Sequence, residues 1–307
     1  GYQSNDKGTT CNGAVAIGYF ALHTPTDASY QVAIGYDALR NQSTGSGNVA
    51  IGYRCMHNLT TSSKNTGVGH GALYGITESQ NCTALGYEAL KGITDGGSHN
   101  TAIGAESMLG ASGARSNSAV GDGSMRSITT GDQNCAMGHN AMYNASTGSR
   151  NTVIGGGQVG SNVAAGFNLT TGNDNTLIGA QSGTVLTTGS ENTAIGKAAG
   201  DSITTGSRNT IVGSGSDASA VSGNDQLLFG RNLTGKGDDT FFVGGASGAY
   251  QYNNSSSWST TSDRRIKKNI TNNTTGLDKI NQITVRNFEY KTEDEIKTDN
   301  PELTDVV

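Results

Sequence analysis

The chain has 307 residues, of which 46 are glycine and only 2 are proline, and its formal net charge is −5. Glycine at about twice its usual share of roughly 7% is unlike an ordinary globular domain, and the low charge excludes a highly charged disordered chain. The net negative charge gives no polyanion-binding surface, so we expect no nucleic-acid partner. No apolar run reaches the length of about 18 residues that a membrane span needs, so we expect no membrane insertion.

The four cysteines, Cys11, Cys55, Cys82 and Cys135, contain no C-x-x-C pair, so neither zinc nor thioredoxin-type chemistry is indicated. We expect them to be small buried thiols, and free thiols favour assembly in a reducing cytoplasm. The five histidines are scattered along the chain. We therefore expect no metal and no cofactor.

A unit of the form Asn-Thr-Ala-Ile-Gly recurs along the chain, and eleven of its thirteen spacings are 17 or 18 residues. A period of 17 is too short for paired-helix repeats and fits one coil of a β-solenoid. The sequence therefore predicts an all-β, β-solenoid or β-roll shaft, roughly 65–70 Å long at about 4.8 Å per coil. The repeats end at Gly18, Gly35, Gly52, Gly69, Gly86, Gly104, Gly121, Gly138, Gly155, Gly179, Gly196, Gly213, Gly230 and Gly244.

The residue before each glycine is always apolar, as in Ile17 and Ile34, and the residue before that is mostly alanine. Neighbouring strand residues point to opposite faces, so the two columns lie on opposite sides of the sheet. We expect the bulky column to fill the coil and the alanine column to allow close approach between chains. This interpretation predicts an oligomer, most simply a homotrimer.

Three further columns accompany the repeat unit. Asparagine recurs four residues before the glycine, where it can form a hydrogen-bonded ladder or cap a turn. Leucine or methionine, such as Leu22 and Met56, follows the glycine in the first eight repeats and predicts a short helical turn or a second strand. The Thr-Gly pairs predict turns with positive φ at Gly45, Gly131, Gly148, Gly172, Gly189 and Gly206.

The repeats change after Gly155, where the Leu/Met column ends and the alanine column gains larger residues such as Val153 and Leu177. We therefore predict a regular shaft over 1–155 and modified repeats over 156–248, with an insertion at 156–174. A Ser/Asn-rich linker is expected over 249–262, followed by a short α+β segment over 263–307.

A stripe of aromatic side chains is predicted just after the glycines, at Tyr19, Tyr36, Tyr53 and Tyr87. His70 and His139 occupy the same repeat position. The stripe is interpreted either as a glycan-contact surface or as packing within turns. Ice-binding solenoids present threonine pairs on one face, whereas an Asn-x-Ala face is expected here, which argues against ice binding.

The repeat unit resembles the head repeats of trimeric autotransporter adhesins, and its longer Asn-Thr-Ala-Ile-Gly-Tyr-x-Ala-Leu form is similar to repeats in phage tail fibres. This resemblance covers about 230 residues and implies a homotrimeric surface fibre.

Residues 262–270, Ser-Asp-Arg-Arg-Ile-Lys-Lys-Asn-Ile, precede apolar residues at helical and then alternating spacing. The segment resembles the opening of the intramolecular chaperone of endosialidase family, with Ile266 in place of a leucine. The resemblance implies that the segment trimerises the fibre and cuts itself off between Ser262 and Asp263, with Lys267 as the base. Neighbouring cations lower a lysine pKa, as that role needs.

The family's domain continues beyond the equivalent of Val307, and the chain begins at Gly1 without a recognisable signal peptide, so we expect a fragment of a longer protein. The predicted function is a phage tail fibre or tailspike, located in the virion tail and assembled in the host cytoplasm. Its predicted partners are two further copies of itself and a host cell-surface glycan or protein. A bacterial trimeric adhesin is the alternative, and a glycan-degrading tailspike and an ice-binding solenoid rank lower. No turnover enzyme is expected beyond single-turnover autoproteolysis.

Overall fold

A computed structural model describes residues 11–94, 96–157 and 163–245, together with the backbone of Ala249–Tyr252 and Ser259–Thr260. They lie in the first of two units of the chain, Gly1–Ser262. This part is an all-β parallel solenoid, as predicted, and no helix occurs in these ranges. None of the described residues forms a helix long and apolar enough to cross a membrane.

One short strand per repeat joins a single sheet in chain order. The first fourteen strands pair in parallel, and the last two pair antiparallel. They are β1 Val15–Ile17, β2 Val32–Ile34, β3 Val49–Ile51, β4 Thr66–Val68, β5 Thr83–Leu85, β6 Thr101–Ile103, β7 Ser118–Val120, β8 Cys135–Met137, β9 Thr152–Ile154, β10 Thr176–Ile178, β11 Thr193–Ile195, β12 Thr210–Val212, β13 Leu227–Phe229, β14 Thr240–Val243, β15 Ala249–Tyr252 and β16 Ser259–Thr260.

Every parallel pair aligns equivalent repeat positions, even across the one long coil, where Thr152 faces Thr176. The regular coil-to-coil hydrogen bonds continue as far as Gly157, which donates to His139, and resume at Ala165, which accepts from Met142. The extra length therefore falls between Gly157 and Ala165, a narrower range than the predicted insertion at 156–174.

The two faces of the sheet are the reverse of the prediction. From Ala33 onward the alanine column is only 0–2% exposed, whereas Ile17 is 56% exposed and Met137 48%. The alanine side chains point into a narrow coil, and the bulky residues before the glycines point outward. Because the alanines are covered within the chain, they leave no basis for a contact between chains.

The Leu/Met column fills the coil from the opposite wall, and its members Leu22, Leu39, Met56, Leu73, Leu90, Met108, Met125 and Met142 are all fully buried. Glycine replaces this column in later coils, at Gly166 and Gly183. A Cβ on Gly183 would lie 2.9 Å from Cδ1 of Leu177. The larger residues of the alanine column thus occupy the volume that the Leu/Met column gives up, which keeps the interior close-packed.

The Leu/Met residues lie in tight turns, and the predicted helical turn or second strand is wrong. Leu22 has φ 49° and Phe20, two residues earlier, has φ 53°, both in the left-handed region. Each such residue costs roughly 1–2 kcal/mol. The cost is offset because the leucine side chain is buried and its N–H donates to Ala38 of the next coil at 2.9 Å.

Glycine occurs in the Thr-Gly turns mainly because the backbones of successive coils come close together there, and less because the turn needs a positive φ. Only Gly45 has the predicted positive φ, at 99°, whereas Gly189 and its equivalents do not. A Cβ on Gly189 would overlap the carbonyl oxygen of Gly206 in the next coil. Glycine is therefore required there because successive coils touch through their backbones.

A ladder of asparagine side chains runs through the interior. Its members form the predicted coil-to-coil hydrogen bonds and also cap the turns, so both predicted roles occur together. Oδ1 of Asn117 accepts the backbone N–H of Asn134 at 2.8 Å and its Nδ2 at 3.0 Å. Nδ2 of Asn117 donates to the carbonyl oxygen of Gly131 in the next turn at 2.9 Å. Cys82 occupies one ladder position and divides the column into two runs of asparagine, Asn48 and Asn65, then Asn100, Asn117, Asn134, Asn151, Asn175, Asn192 and Asn209.

We expect Asn117→Ala to lower the free energy of unfolding by about 2–4 kcal/mol, because two buried donors of Asn134 lose their acceptor. Denaturant unfolding of the two proteins measures the difference. Asn41→Ala is the control: its side chain is exposed, and the expected loss is below about 0.5 kcal/mol. Equal losses for the two variants would contradict a stabilising ladder.

Candidate functional site

The predicted aromatic stripe is present as a stack of rings, here called the aromatic ladder: Tyr19, Tyr36, Tyr53, His70 and Tyr87. Neighbouring ring centroids are 4.9–5.5 Å apart, with interplanar angles of 18–21°. The spacing follows from the coil rise of about 4.8 Å. The four tyrosines are 39–49% exposed, so the ladder offers ring surface to solvent as well as packing within the turns.

A cluster of charges holds the turns beside this ladder. The side chain of Asp37 is only 1% exposed, and its carboxylate lies 3.1 Å from Nη1 of Arg40 and 3.5 Å from Nε of Arg54. The guanidinium of Arg54 also lies 5.2 Å from the ring centroid of Tyr53. The buried carboxylate is therefore paired, and Arg54 links it to the ring of Tyr53.

A surface cavity of about 400 Å³ opens further along the same turns. One wall is aromatic: the rings of Tyr143 and Phe167 stack 5.1 Å apart at 7°. The opposing lining is polar, with Glu106, Asp122 and His139 among its side chains. Nδ1 of His139 is shielded from solvent and has no hydrogen-bond partner among the described residues.

A glycine at the edge of the cavity leaves room for the side chain of the next coil. Gly123 follows its repeat glycine by two residues, where the neighbouring coils have Glu106 and Asn140. A Cβ on Gly123 would overlap Oδ1 of Asn140 and would lie 3.3 Å from Cε2 of Tyr143. Sequence reasoning missed this cavity, because glycine stands at the same repeat position in other coils, as at Gly71 and Gly215, and does not by itself mark a site.

Two carboxyl groups interact on neighbouring coils, those of Asp201 and Asp217, and Asp217 also accepts the backbone N–H of Ser202 at 3.0 Å. Burial, reinforced by Asp201, raises the pKa of Asp217 to about 7.

The buried thiols Cys55 and Cys82 behave as packing residues. Burial raises the pKa of Cys55 to about 12 and also raises the pKa of Cys82. All four cysteines are free, and Cys11 and Cys135 are half-buried. No group of three or more His, Cys, Asp or Glu side chains in the described ranges could hold a metal ion.

The predicted cleavage residues Ser262, Asp263 and Lys267 lie outside the described residues. The fold nevertheless defines the class of protein: a repetitive β-solenoid shaft. Residues 262–303 match the family model described as chaperone of endosialidase. This match agrees with the resemblance that begins at Ser262. A search of curated proteins finds none that matches the chain.

We expect the solenoid to be more stable at pH 5 than at pH 8, because Asp217 binds its proton more tightly in the folded state than in the unfolded state. Its contribution is complete below the ordinary pKa near 3.8 and is lost as the pH rises through about 7. Asp217→Asn should flatten this dependence and raise the thermal midpoint at pH 8. Asp27→Asn is the control, because Asp27 is exposed and, like Asp217, lies in an isolated parallel bridge. It should leave the pH dependence of stability unchanged. An unaltered pH profile in Asp217→Asn would contradict the assignment.

Proposed function

We propose that this chain contributes the shaft of a homotrimeric attachment fibre of the phage tail-fibre or tailspike class. In this proposal the segment from Asp263 onward is the start of the chaperone that brings three chains together. The observation that carries the proposal is an uninterrupted apolar column on the outside of the solenoid, on a chain whose residues 262–303 match a fibre chaperone family.

The outward face of β1–β14 is suited to contact another protein surface. Its column before the glycines is apolar in every coil, and large members such as Ile103, Ile154 and Phe229 are 36–41% exposed. None of the fourteen parallel strands contains a charged residue. Contiguous exposed apolar surface of this kind marks interaction sites in soluble proteins.

The length of this face compensates for its narrow width. Fourteen strands at about 4.7–4.8 Å give a length near 65 Å, and three residues give a width near 10 Å. The resulting area of roughly 650 Å² is divided between two neighbours in a trimer, so each pairwise contact is smaller than the standard one of about 800 Å² per partner, and the assembly depends on all three contacts together. A second and a third copy of this chain, held parallel and in the same register, would each offer a matching column.

Sedimentation tests the assembly. We expect the wild-type chain to have three times the monomer mass of 31.4 kDa, and the double variant Ile103→Lys/Ile195→Lys to dissociate, because both lysines place charge on the buried face of the trimer. The control is Tyr30→Lys/Val221→Lys, which changes two more exposed hydrophobic residues outside the strands and should remain trimeric. A folded wild-type monomer would contradict the proposed trimer.

Ice binding is the second candidate, because the structure removes the argument against it. Asparagine and alanine point inward, and the outward face instead presents threonine beside an apolar residue, as at Thr101 and Ile103 or Thr193 and Ile195. A threonine array on a flat sheet would have to remain open to water. A monomer in sedimentation would therefore favour ice binding over the fibre.

Cleavage tests the role of the carboxy-terminal segment. In the protein with its complete chaperone domain, we expect Ser262→Ala to give one uncut band on a denaturing gel, because the proposed nucleophile is lost. Ser257→Ala, a change of the same type five residues earlier, should be cut like the wild type. Equal cutting of Ser262→Ala would show that Ser262 is not the nucleophile.

The same interface would serve a bacterial trimeric adhesin. Tail genes beside the coding sequence would favour the phage fibre, whereas a secretion signal upstream would favour the adhesin. The chaperone match is the observation that favours the phage fibre.

A further inference from the structure

The apolar outward face of β1–β14 does not by itself align neighbouring chains. Every coil offers an apolar residue before its repeat glycine, so a chain displaced by one coil would meet an equivalent surface. Strands whose pattern repeats in this way specify their register only weakly. The alignment that the proposed trimer needs therefore has to come from residues beside the face.

One edge of the face is basic in the last coils, and we call it the basic flank. Lys197, Ser214 and Arg231 directly follow the repeat glycines of three successive coils, and all three are exposed. Their backbones are in line, because the N–H of Gly215 donates to the carbonyl oxygen of Lys197 at 2.9 Å. The N–H of Asn232 likewise donates to the carbonyl oxygen of Ser214 at 3.0 Å. Neither cation forms an ion pair with any residue that the structure describes.

The opposite edge is acidic over the same coils, and we call it the acidic flank. Its members precede the repeat glycines by five residues and are Glu191, Arg208, Asp225 and Asp239. Nε and Nη2 of Arg208 donate to the two carboxylate oxygens of Asp225, each at 2.7 Å. This contact raises the pKa of Arg208, and the charges of Glu191 and Asp239 add to the effect, so the three acidic side chains lie near one guanidinium. Three negative charges thus outweigh a single positive charge on this flank.

The two flanks lie on opposite sides of the same strands. The strand Thr193–Ile195 separates Glu191 from Lys197, and three strand residues span about 10 Å. In a ring of parallel chains around a common axis, each chain turns its basic flank toward the acidic flank of its neighbour. Antiparallel copies turn the same edge toward each other, so their basic and acidic flanks never meet.

Parallel chains that are aligned coil for coil bring opposite charges together. Lys197 then faces Glu191 of the neighbouring copy, and Arg231 faces Asp225. On the coil between them, the neutral Ser214 faces Arg208. Complementary charges of this kind fix the register of an interface more than they add to its affinity.

A displacement by one coil brings like charges together, whichever direction it takes. One direction sets Lys197 against Arg208 of the neighbour, and the other sets Arg231 against the same Arg208. Like charges that face each other disfavour the wrong arrangement. Arg208 therefore acts against both displaced arrangements, although it is paired within its own chain.

We propose that the two flanks align copies of this chain, parallel and coil for coil, through contacts of Lys197 with Glu191 and of Arg231 with Asp225. The proposal rests on the trimeric fibre proposed above and deepens it by naming the residues that set the direction and register of the chains. The partner is a second copy, because the charges of the two flanks complement each other at equal height.

Carbodiimide coupling of the whole chain tests the contact, because this reagent joins a carboxylate to an amine where the two touch. We expect covalent dimers and trimers on a denaturing gel, in which mass spectrometry finds Lys197 joined to Glu191. Lys197→Arg keeps the charge but has no primary amine, so this link should disappear while sedimentation still shows a trimer. A trimer in which Lys197 is joined to Asp174, or to no carboxylate of another chain, would overturn the alignment.

Charge reversal measures what the contact contributes. At low salt, we expect Glu191→Lys to raise the concentration for half-dissociation of the trimer at least about tenfold, because the new charge faces Lys197. Glu191→Lys/Lys197→Glu restores opposite charges and should recover most of the loss. Glu78→Lys is the matched control, since it makes the same change at an exposed residue outside the face, and it should assemble like the wild type. At about 1 M salt, where the screening length is roughly 3 Å, Glu191→Lys should lose most of its effect.

Equal losses in Glu191→Lys and in the double variant would overturn the assignment, and so would an equal loss in Glu78→Lys. Sedimentation of the wild type separates this proposal from the fibre. A trimer that Glu191→Lys leaves unchanged rejects the flank contacts alone, and a dimer joined from Lys197 to Glu191 rejects the trimer alone. A folded monomer rejects both.

Discussion

Each coil of this solenoid is hydrogen-bonded to its own equivalent in the next coil, and this constraint governs the rest of the structure. Oδ1 of Asn117 accepts from Asn134, and the strand around Ala102 pairs with the strand around Ala119. Such pairing works only when successive coils follow the same backbone path. The path therefore accommodates extra residues outside the strands and the ladder: one residue between Gly86 and Gly104, where the spacing is 18, and the longer stretch between Gly157 and Ala165.

The repeated path also explains why glycine is abundant without making the chain loose. At the repeat glycines and at the Thr-Gly turns, the backbone of one coil touches the backbone of the next, as Gly189 touches Gly206. The same backbone path places like side chains above one another at the coil rise. This repetition at the coil rise produces both the stacked rings of the aromatic ladder and the stripe of exposed apolar residues.

The period of 17 was enough to predict a β-solenoid, because few folds return the chain to the same place after so short a step. The period alone did not show which column lies inside, because the bulky column before the glycines and the alanine column are both apolar. The Leu/Met column on the opposite wall of the coil decides between them. Leu22 and Met56 already fill the coil, which leaves room only for alanine facing them. The joint change to Gly183 and Leu177 carried this information in the sequence. The positive φ of residues such as Leu22 was not predicted, because tertiary packing there overrides local preference. The cavity was not predicted, because its lining residues, from Glu106 to Phe167, come from successive coils and meet only once the solenoid has formed.

The antiparallel strands at the end of the sheet have a consequence for growth of the shaft. A parallel solenoid offers at its last coil the same open edge that every earlier coil offers to its successor, so a second molecule can add there end to end. In this chain β15 reverses direction and occupies that edge of β14, and β16, of only two residues, pairs with β15. The reversal thus acts as a cap: the carboxy-terminal edge of the parallel run is already paired, so a second molecule cannot extend the sheet by pairing with β14.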